Sequence, residues 1–371
     1  MIQTAQICSV LPPFADAVGE GALKLQHLLK ENGIESLIIT SADQEPRDGV
    51  LPIMKDWNLL SVIRGMWKIK KLGIRVVLLQ YPSAYFGRKL FVTSIPFILR
   101  LLGLKPVTIL HEYAAYSKIG KLRMLPLLLF SKRIITSDSV NLKSMSEVPF
   151  VKNKSTVITI GTNFFNHDFA AADETGKLAS GGKISVLYFG YIMEGKGLPQ
   201  LLDTFDSDET IRSRFDLHIV GTIPERPSKN NELLFERVKS AAFLTHHGYL
   251  PMPELQKMMR SADLIFLPFE SGVTERRGSF MACMAFAKPV ITTRPQIPID
   301  GLIEKKNVFY LDSVGSDEIK SALFAITKYS GGELSRIGLN AQSWYMENYS
   351  DEIYITKIMQ QLALLKDAGN R

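Results

Sequence analysis

Cysteine is scarce in this chain: two in 371 residues, Cys8 and Cys283, far apart in sequence. That excludes a disulfide framework and a Cys-x2-Cys metal site, and it points to a reducing compartment. Long hydrophobic runs are missing as well. A membrane span needs about 18 or more uninterrupted apolar residues. The longest candidate, residues 90–103, is broken by Thr93, Ser94, Pro96 and Arg100. The opening residues MIQTAQICSVLPPF have no basic start followed by a long apolar stretch, and read as a first strand rather than a signal peptide. The six histidines show no His-Glu-x-x-His or similar ligand spacing, so no metal is expected. The loop after the first strand does not match Gly-x-Gly-x-x-Gly, and there is no Gly-x4-Gly-Lys-Ser/Thr phosphate loop. Helix-turn-helix, zinc-finger and RNP-type aromatic signatures are also absent, so no nucleic-acid partner is expected.

What is present is ample apolar material and an uneven charge. The length and a 46% hydrophobic content imply two ordinary domains, each with its own core. Residues 1–165 hold 21 Lys and Arg against 11 Asp and Glu, a net +10 within an overall +7. A basic half beside a mildly acidic one speaks of partners: phosphorylated substrates or an anionic membrane surface.

Short apolar runs alternate with helical patterns throughout. Strands are expected at 6–11, 37–40, 76–80, 107–110, 134–137 and 157–160, with helices at 20–32, 57–71 and 91–102 between them. Residues 166–183, poor in large apolar side chains, read as a linker or edge insertion. A second series of strands follows at 184–189, 217–220, 242–246, 264–267, 290–293 and 308–311. The segment 333–365 is helical with a break near Tyr349-Ser350-Asp351. This βαβα rhythm argues for two α/β domains, each a doubly wound parallel sheet. Domain limits are expected at 1–165, with a C-terminal helix of about 350–371, and at 166–349.

Two strand-to-helix corners of the second series carry chemistry. In an open parallel sheet, ligands sit at the carboxyl ends of strands, where helix starts favour anions. One corner is Gly190–Gly197 (GYIMEGKG), where Gly195 and Gly197 permit close backbone approach and Lys196 supplies a point charge. The other is SGVTERRGSF, with Gly272, Glu275, Arg276, Arg277 and Gly278; Ser279 is placed to cap the helix that follows, 280–286. Two such corners bearing Lys and Arg suit a diphosphate. In the first domain, Gly19 and Gly21 precede a helix, and His111-Glu112 closes the strand VTIL on the same kind of edge. His246-His247 reads as structural.

The whole chain resembles the GT-B-fold family 4, or group 1, nucleotide-sugar glycosyltransferases. QYPSAYF, VTILHEY, VITIGTNF, LYFGYIMEGKGLPQLLDTF, LHIVGT, HHGYLPMPELQKMMRSADLIFLPF and MACMAFAKPVITT follow one another in that family's order. The resemblance implies two Rossmann-like domains facing each other across a cleft, with the last helix crossing back to the N-terminal domain. It implies an acceptor-binding N-terminal domain and a donor-binding C-terminal one. Lys196 with a basic partner would hold the donor diphosphate. Gly19 would let backbone approach it, and His111 would contact the donor sugar. Gly190, Gly221, Gly272, Gly278 and Ser279 would complete the donor site. Transfer would proceed with retention and without a metal. The sequence departs from the family at two points. Its Glu-x7-Glu pair would fall at Thr274 and Ala282, and an expected arginine is Tyr191. SGVTERRGSF resembles an atypical subset that lacks the second glutamate. Arg276 or Arg277 is then the replacement cation and Glu275 the surviving acidic contact.

The basic first domain gains a meaning under this reading. YFGRKLFVTSIPFILRLLGLK and KIGKLRMLPLLLFSKR interleave apolar and basic residues, which suits anionic lipid headgroups. The expectation is a cytoplasmic or inner-face peripheral transferase. It would use a nucleotide-sugar donor and a glycan or lipid-linked acceptor in cell-surface polysaccharide assembly. The alternatives are a catalytically degenerate binding or scaffold partner, motivated by Ala282 and Tyr191, and a nucleotide-sugar epimerase. The latter is disfavoured by the missing carboxylates.

Overall fold

The computed structural model describes residues 4–12, 17–83, 86, 89–162, 182–224 and 227–367. The chain divides into two compact units: Met1–Phe165 with Asp351–Arg371, and Asn166–Ser350. Most of the expected linker at 166–183, and parts of the segments at 12–19 and 80–86, lie outside the described residues.

The first unit alternates strand and helix. In chain order it holds β1 (Thr4–Ile7), α1 (Ala17–Glu31), β2 (Ser36–Ser41), β3 (Val50–Met54), α2 (Leu59–Lys71) and β4 (Val76–Tyr81). Then come α3 (Ile95–Leu101), β5 (Lys105–Leu110), α4 (Lys118–Arg123), α5 (Leu125–Phe130), β6 (Arg133–Thr136), α6 (Ser139–Met145) and β7 (Ser155–Val157). All seven strands are parallel, in the order β3-β2-β1-β4-β5-β6-β7. The strand β3 was not anticipated: Pro52 and a partly exposed pattern disguise an edge strand.

The second unit repeats the plan with β8 (Ile184–Phe189), α7 (Leu198–Ser207), α8 (Glu209–Arg214), β9 (Phe215–Val220), α9 (Lys229–Ser240), β10 (Leu244–Gly248) and α10 (Met252–Ser261). It continues with β11 (Leu264–Leu267), α11 (Gly278–Ala285), β12 (Val290–Thr293), β13 (Phe309–Leu311), α12 (Ser316–Ile326) and α13 (Gly331–Tyr349). Its six strands are parallel in the order β10-β9-β8-β11-β12-β13. Central strands such as LIFL are buried along their whole length, as helices on both faces require.

Local chemistry sets the boundaries. Asn58, Asp138, Asp208 and Ser228 cap helix starts by accepting backbone N–H bonds, and Ser330 with Glu333 forms a capping box. The break at Ser350 ends α13, and α14 (Asp351–Asp367) belongs to the first unit. Its Tyr354, Ile358 and Leu362 share a core with Leu25, Leu29 and Val107. Lys24, fully buried, joins Asp351 at 2.5 Å and donates to the Thr162 carbonyl at 2.6 Å, tying α14 to α1. Each sheet reverses its strand order once, between β1 and β4 and between β8 and β11. Crevices outside the carboxyl ends of such neighbours are where open α/β sheets bind ligands.

Candidate functional site

The reversal in the second unit is built from glycines. Gly197 caps α7 in the left-handed region, φ 66°, and a Cβ there would lie 1.7 Å from the Pro268 carbonyl oxygen. Gly221, φ 153°, would bring one to 1.9 Å from the Gly190 oxygen, and Gly272, φ 79°, to 2.5 Å from the Arg294 oxygen. Three strand-end loops therefore press backbone against backbone, which no larger residue permits. Hydrogen bonds lock them: Gly190 N donates to Val220 O at 3.0 Å, and Glu270 N to Gly195 O at 3.2 Å. Gly190 also faces Ser279, whose side chain is 3.6 Å from its would-be Cβ. Gly278 has open space around its own.

Three cations gather on this frame. The Lys196 Nζ lies 5.2 Å from the Phe269 ring centroid and the Arg277 Cζ 4.7 Å from the same centroid. Arg277 Nη2 donates to Ser271 Oγ at 2.9 Å. Burial first, then the charges of Arg277 and Arg276, pull the Lys196 ammonium down to about 8. Like charges packed this way repel one another, and an anion placed among them would relieve the repulsion.

The helix α11 begins beside them. Its N-cap is Arg277, which makes no side-chain cap bond, and Gly278 and Ser279 are the first helical residues. This corrects the expectation that Ser279 caps the helix: it stands inside the first turn. The first-turn N–H groups there have no partner within the helix. Glu275 is only 7% exposed, and its charge, after burial, helps push the Tyr349 phenol up. The Thr274 hydroxyl is buried with no hydrogen-bond partner among the described residues. Ala282 is fully buried in a helix whose residues from Phe280 to Ala285 are all buried, so position 282 is a packing position. Tyr191 is exposed, and its carbonyl accepts from the buried Tyr188 hydroxyl at 3.1 Å.

In the first unit, His111 follows β5. Its backbone N donates to Tyr81 O at 2.8 Å, and its Nε2 lies 2.9 Å from Gln80 Oε1. Gly19 and Gly21 sit within α1 rather than ahead of it as expected, and a Cβ on Gly19 would meet the Val10 oxygen at 2.5 Å, so packing there requires a glycine.

The second unit thus brings together Gly190, Lys196, Gly221, Gly272, Arg276, Arg277 and Ser279. Glutamine partners of His111 and the role of Asn231, which accepts from Glu194 N at 2.9 Å, were not anticipated. For Gln6 and Gln80 the signal is an amide within an apolar strand; Asn231 stands in the polar segment KNNELLFERVKS and carries no such signal. His246 Nε2 donates to the Gly221 carbonyl at 3.0 Å. A concavity of about 720 Å³ lined by Lys183, Arg212 and Asp216 lies at the opposite, amino-terminal edge of this sheet, away from the cations. Among the described residues, no group of three or more His, Cys, Asp or Glu is placed to hold a metal.

Residues 183–323 match the family described as "Glycosyl transferases group 1". No curated protein sequence matches the chain. Among solved structures, it is similar to Anabaena Alr3699/HepE in complex with UDP-glucose, at 14% identity and a TM-score of 0.71, over 98% of this chain and 100% of that one. It is similar to sucrose-phosphate synthase from Thermosynechococcus elongatus at 15% identity and a TM-score of 0.74, over 99% and 100%. It is also similar to the lipopolysaccharide outer core galactosyltransferase WaaB, at 10% identity and a TM-score of 0.65, over 97% and 99%. At these identities the likeness establishes the fold, while the sequence match falls on the unit that carries the three cations. The chain thus has the GT-B fold, and its residues 183–323 match the group 1 glycosyltransferases.

Proposed function

We infer that the second unit binds the diphosphate of a nucleotide sugar, and that the chain transfers the sugar to a hydroxyl of a glycan or lipid-linked glycan. The observation that carries this reading is the convergence of Lys196, Arg276 and Arg277 beside the start of α11. As the bond from the sugar to the diphosphate breaks, negative charge grows on the departing oxygen. Fixed cations and the first-turn N–H groups of α11 stabilise it more than they stabilise the ground state. Gly190, Gly221, Gly272 and Gly278 keep the backbone close to the donor, and Ser279 offers a hydroxyl. Glu275 accepts from sugar or ribose hydroxyls. In the first unit, Gly19 lines the donor phosphates and His111 contacts the donor sugar. Transfer retains the anomeric configuration and needs no metal, because the cations take its place; this part rests on the family resemblance.

The first unit supplies the acceptor side. Its α2 exposes Leu60, Ile63 and Trp67 beside the exposed cations Arg64, Lys68 and Lys71, with the Lys71 Nζ 5.1 Å from the Trp67 ring. α4 exposes Ile119 at 72% and Leu122 at 64% among Lys118, Lys121 and Arg123. Apolar side chains interleaved with cations suit a peripheral contact with anionic lipid. No helix among the described residues is long and apolar enough to cross a membrane. The setting is then cell-surface polysaccharide assembly at the cytoplasmic face, on a lipid-linked acceptor.

A thermal-shift screen of UDP, GDP, ADP, CMP and their sugars tests the donor site. One diphosphate should raise the melting temperature of the wild type and not of Lys196→Ala or Arg277→Ala. The absence of any shift with any nucleotide would sink the reading.

A further inference from the structure

The polar network beneath His111 has a direction. Gln6 and Gln80 stand in the strand sequences TAQI and VVLLQY, and both side chains are buried. A buried amide costs a few kcal/mol unless its hydrogen bonds are replaced. Here they are replaced in series. Gln6 Nε2 donates to the Ala22 carbonyl at 3.1 Å, Gln80 Nε2 donates to Gln6 Oε1 at 2.9 Å, and Gln80 Oε1 meets His111 Nε2 at 2.9 Å.

The first bond dictates the others. A backbone carbonyl only accepts, so Gln6 must turn its NH2 group to Ala22 and its oxygen to Gln80. That oxygen also only accepts, so Gln80 must offer its NH2 there and its oxygen to the ring. His111 Nε2 must then carry a proton. The usual ambiguity between amide oxygen and nitrogen, and between imidazole tautomers, is removed by a single acceptor on α1. Two apolar side chains would fill the same space without any desolvation cost. The glutamines instead run from a helix carbonyl to an imidazole at the carboxyl end of β5.

We propose that Gln80, anchored by Gln6 and the Ala22 carbonyl, is a positioning residue for His111. It fixes the ring plane and holds the neutral imidazole's proton on Nε2. In the neutral ring the accepting nitrogen is then Nδ1. This rests on the reading of His111 as the contact to the donor sugar.

The test is histidine 15N NMR on the full chain, with His111 identified by its loss in His111→Asn. The neutral ring of the wild type should show its proton on Nε2. Gln80→Glu, an isosteric change, places a carboxylate on that N–H and favours the imidazolium, so titration should move up by about one pH unit, a tenfold change. Gln6→Leu removes the anchor and lets the Gln80 amide turn over, so a proton should appear on Nδ1 in part of the population. A wild-type proton on Nδ1, a Gln80→Glu titration unchanged from wild type, or a Gln6→Leu tautomer unchanged from wild type would each overturn the relay. Melting temperatures establish that the variants are folded. The spectra need no substrate, so the relay stands or falls by itself. The reading of His111 fails separately, if His111→Ala turns over donor at the wild-type rate.

Discussion

At the scale of single residues, Lys196 links the site to pH. Free protein holds its ammonium at about 8, below the ordinary 10.5. A bound diphosphate favours the charged form, so binding above pH 8 takes up a proton, and affinity falls as pH rises through that window, at most about tenfold per unit. Calorimetry at pH 8.5 in buffers of different ionisation enthalpy should show this uptake in the wild type and none in Lys196→Met. For folding the sign is reversed. The unfolded chain binds the extra proton between about 8 and 10.5, so this residue's penalty eases as pH climbs. Gly197→Ala should destabilise the second unit by about 2–4 kcal/mol in denaturant titration, because the added carbon meets the Pro268 carbonyl in a left-handed conformation. These residues were legible in the sequence because glycine and cation spacing is local. Gln6 and Gln80 were not: they are 74 positions apart, and only strand pairing brings their amides together.

At the scale of elements, most strands and the helices between them could be read from apolar runs, since buried parallel strands are nearly continuous in hydrophobicity. The exceptions have physical causes. β3 is an edge strand containing Pro52, and α9 is too polar for an apolar stripe to stand out. The cap of α11 was misplaced by two residues because a serine beside an apolar run looks like a cap, whereas here the backbone turn at Arg277 starts the helix. The pair Lys24 and Asp351 gives α14 its own test. Asp351→Ala should cost about 3 kcal/mol, because it leaves a fully buried ammonium without its counter-ion. The double replacement Lys24→Met with Asp351→Leu should cost clearly less in the same thermal melts.

At the scale of the whole molecule, charge and apolar exposure coincide in one unit. The basic residues 1–165 carry α2 and α4, whose exposed apolar side chains sit among cations. Sedimentation with vesicles containing phosphatidylglycerol should capture the protein at low salt and release it as ionic strength rises, since attraction to lipid headgroups is screened within about a Debye length. Trp67→Glu with Ile63→Glu should reduce capture severalfold while leaving the nucleotide thermal shift unchanged. Loss of the thermal shift in that variant would instead point to misfolding. The lopsided charge was visible in the sequence, but α2 was not singled out as an interfacial element. Its apolar stripe reads the same whether it faces a core or a solvent-exposed surface.

The return of α14 to the first unit also fixes an order of events during synthesis. The second unit is contiguous in sequence and can close as soon as residue 350 has emerged. The first unit begins earlier but lacks one wall of its core, the wall against Leu25, Leu29 and Val107, until α14 has been made. The older half of a nascent chain is therefore the later to finish. A stop codon at Ser350 or early in α14 would yield a complete second unit joined to a first unit whose apolar core stays open.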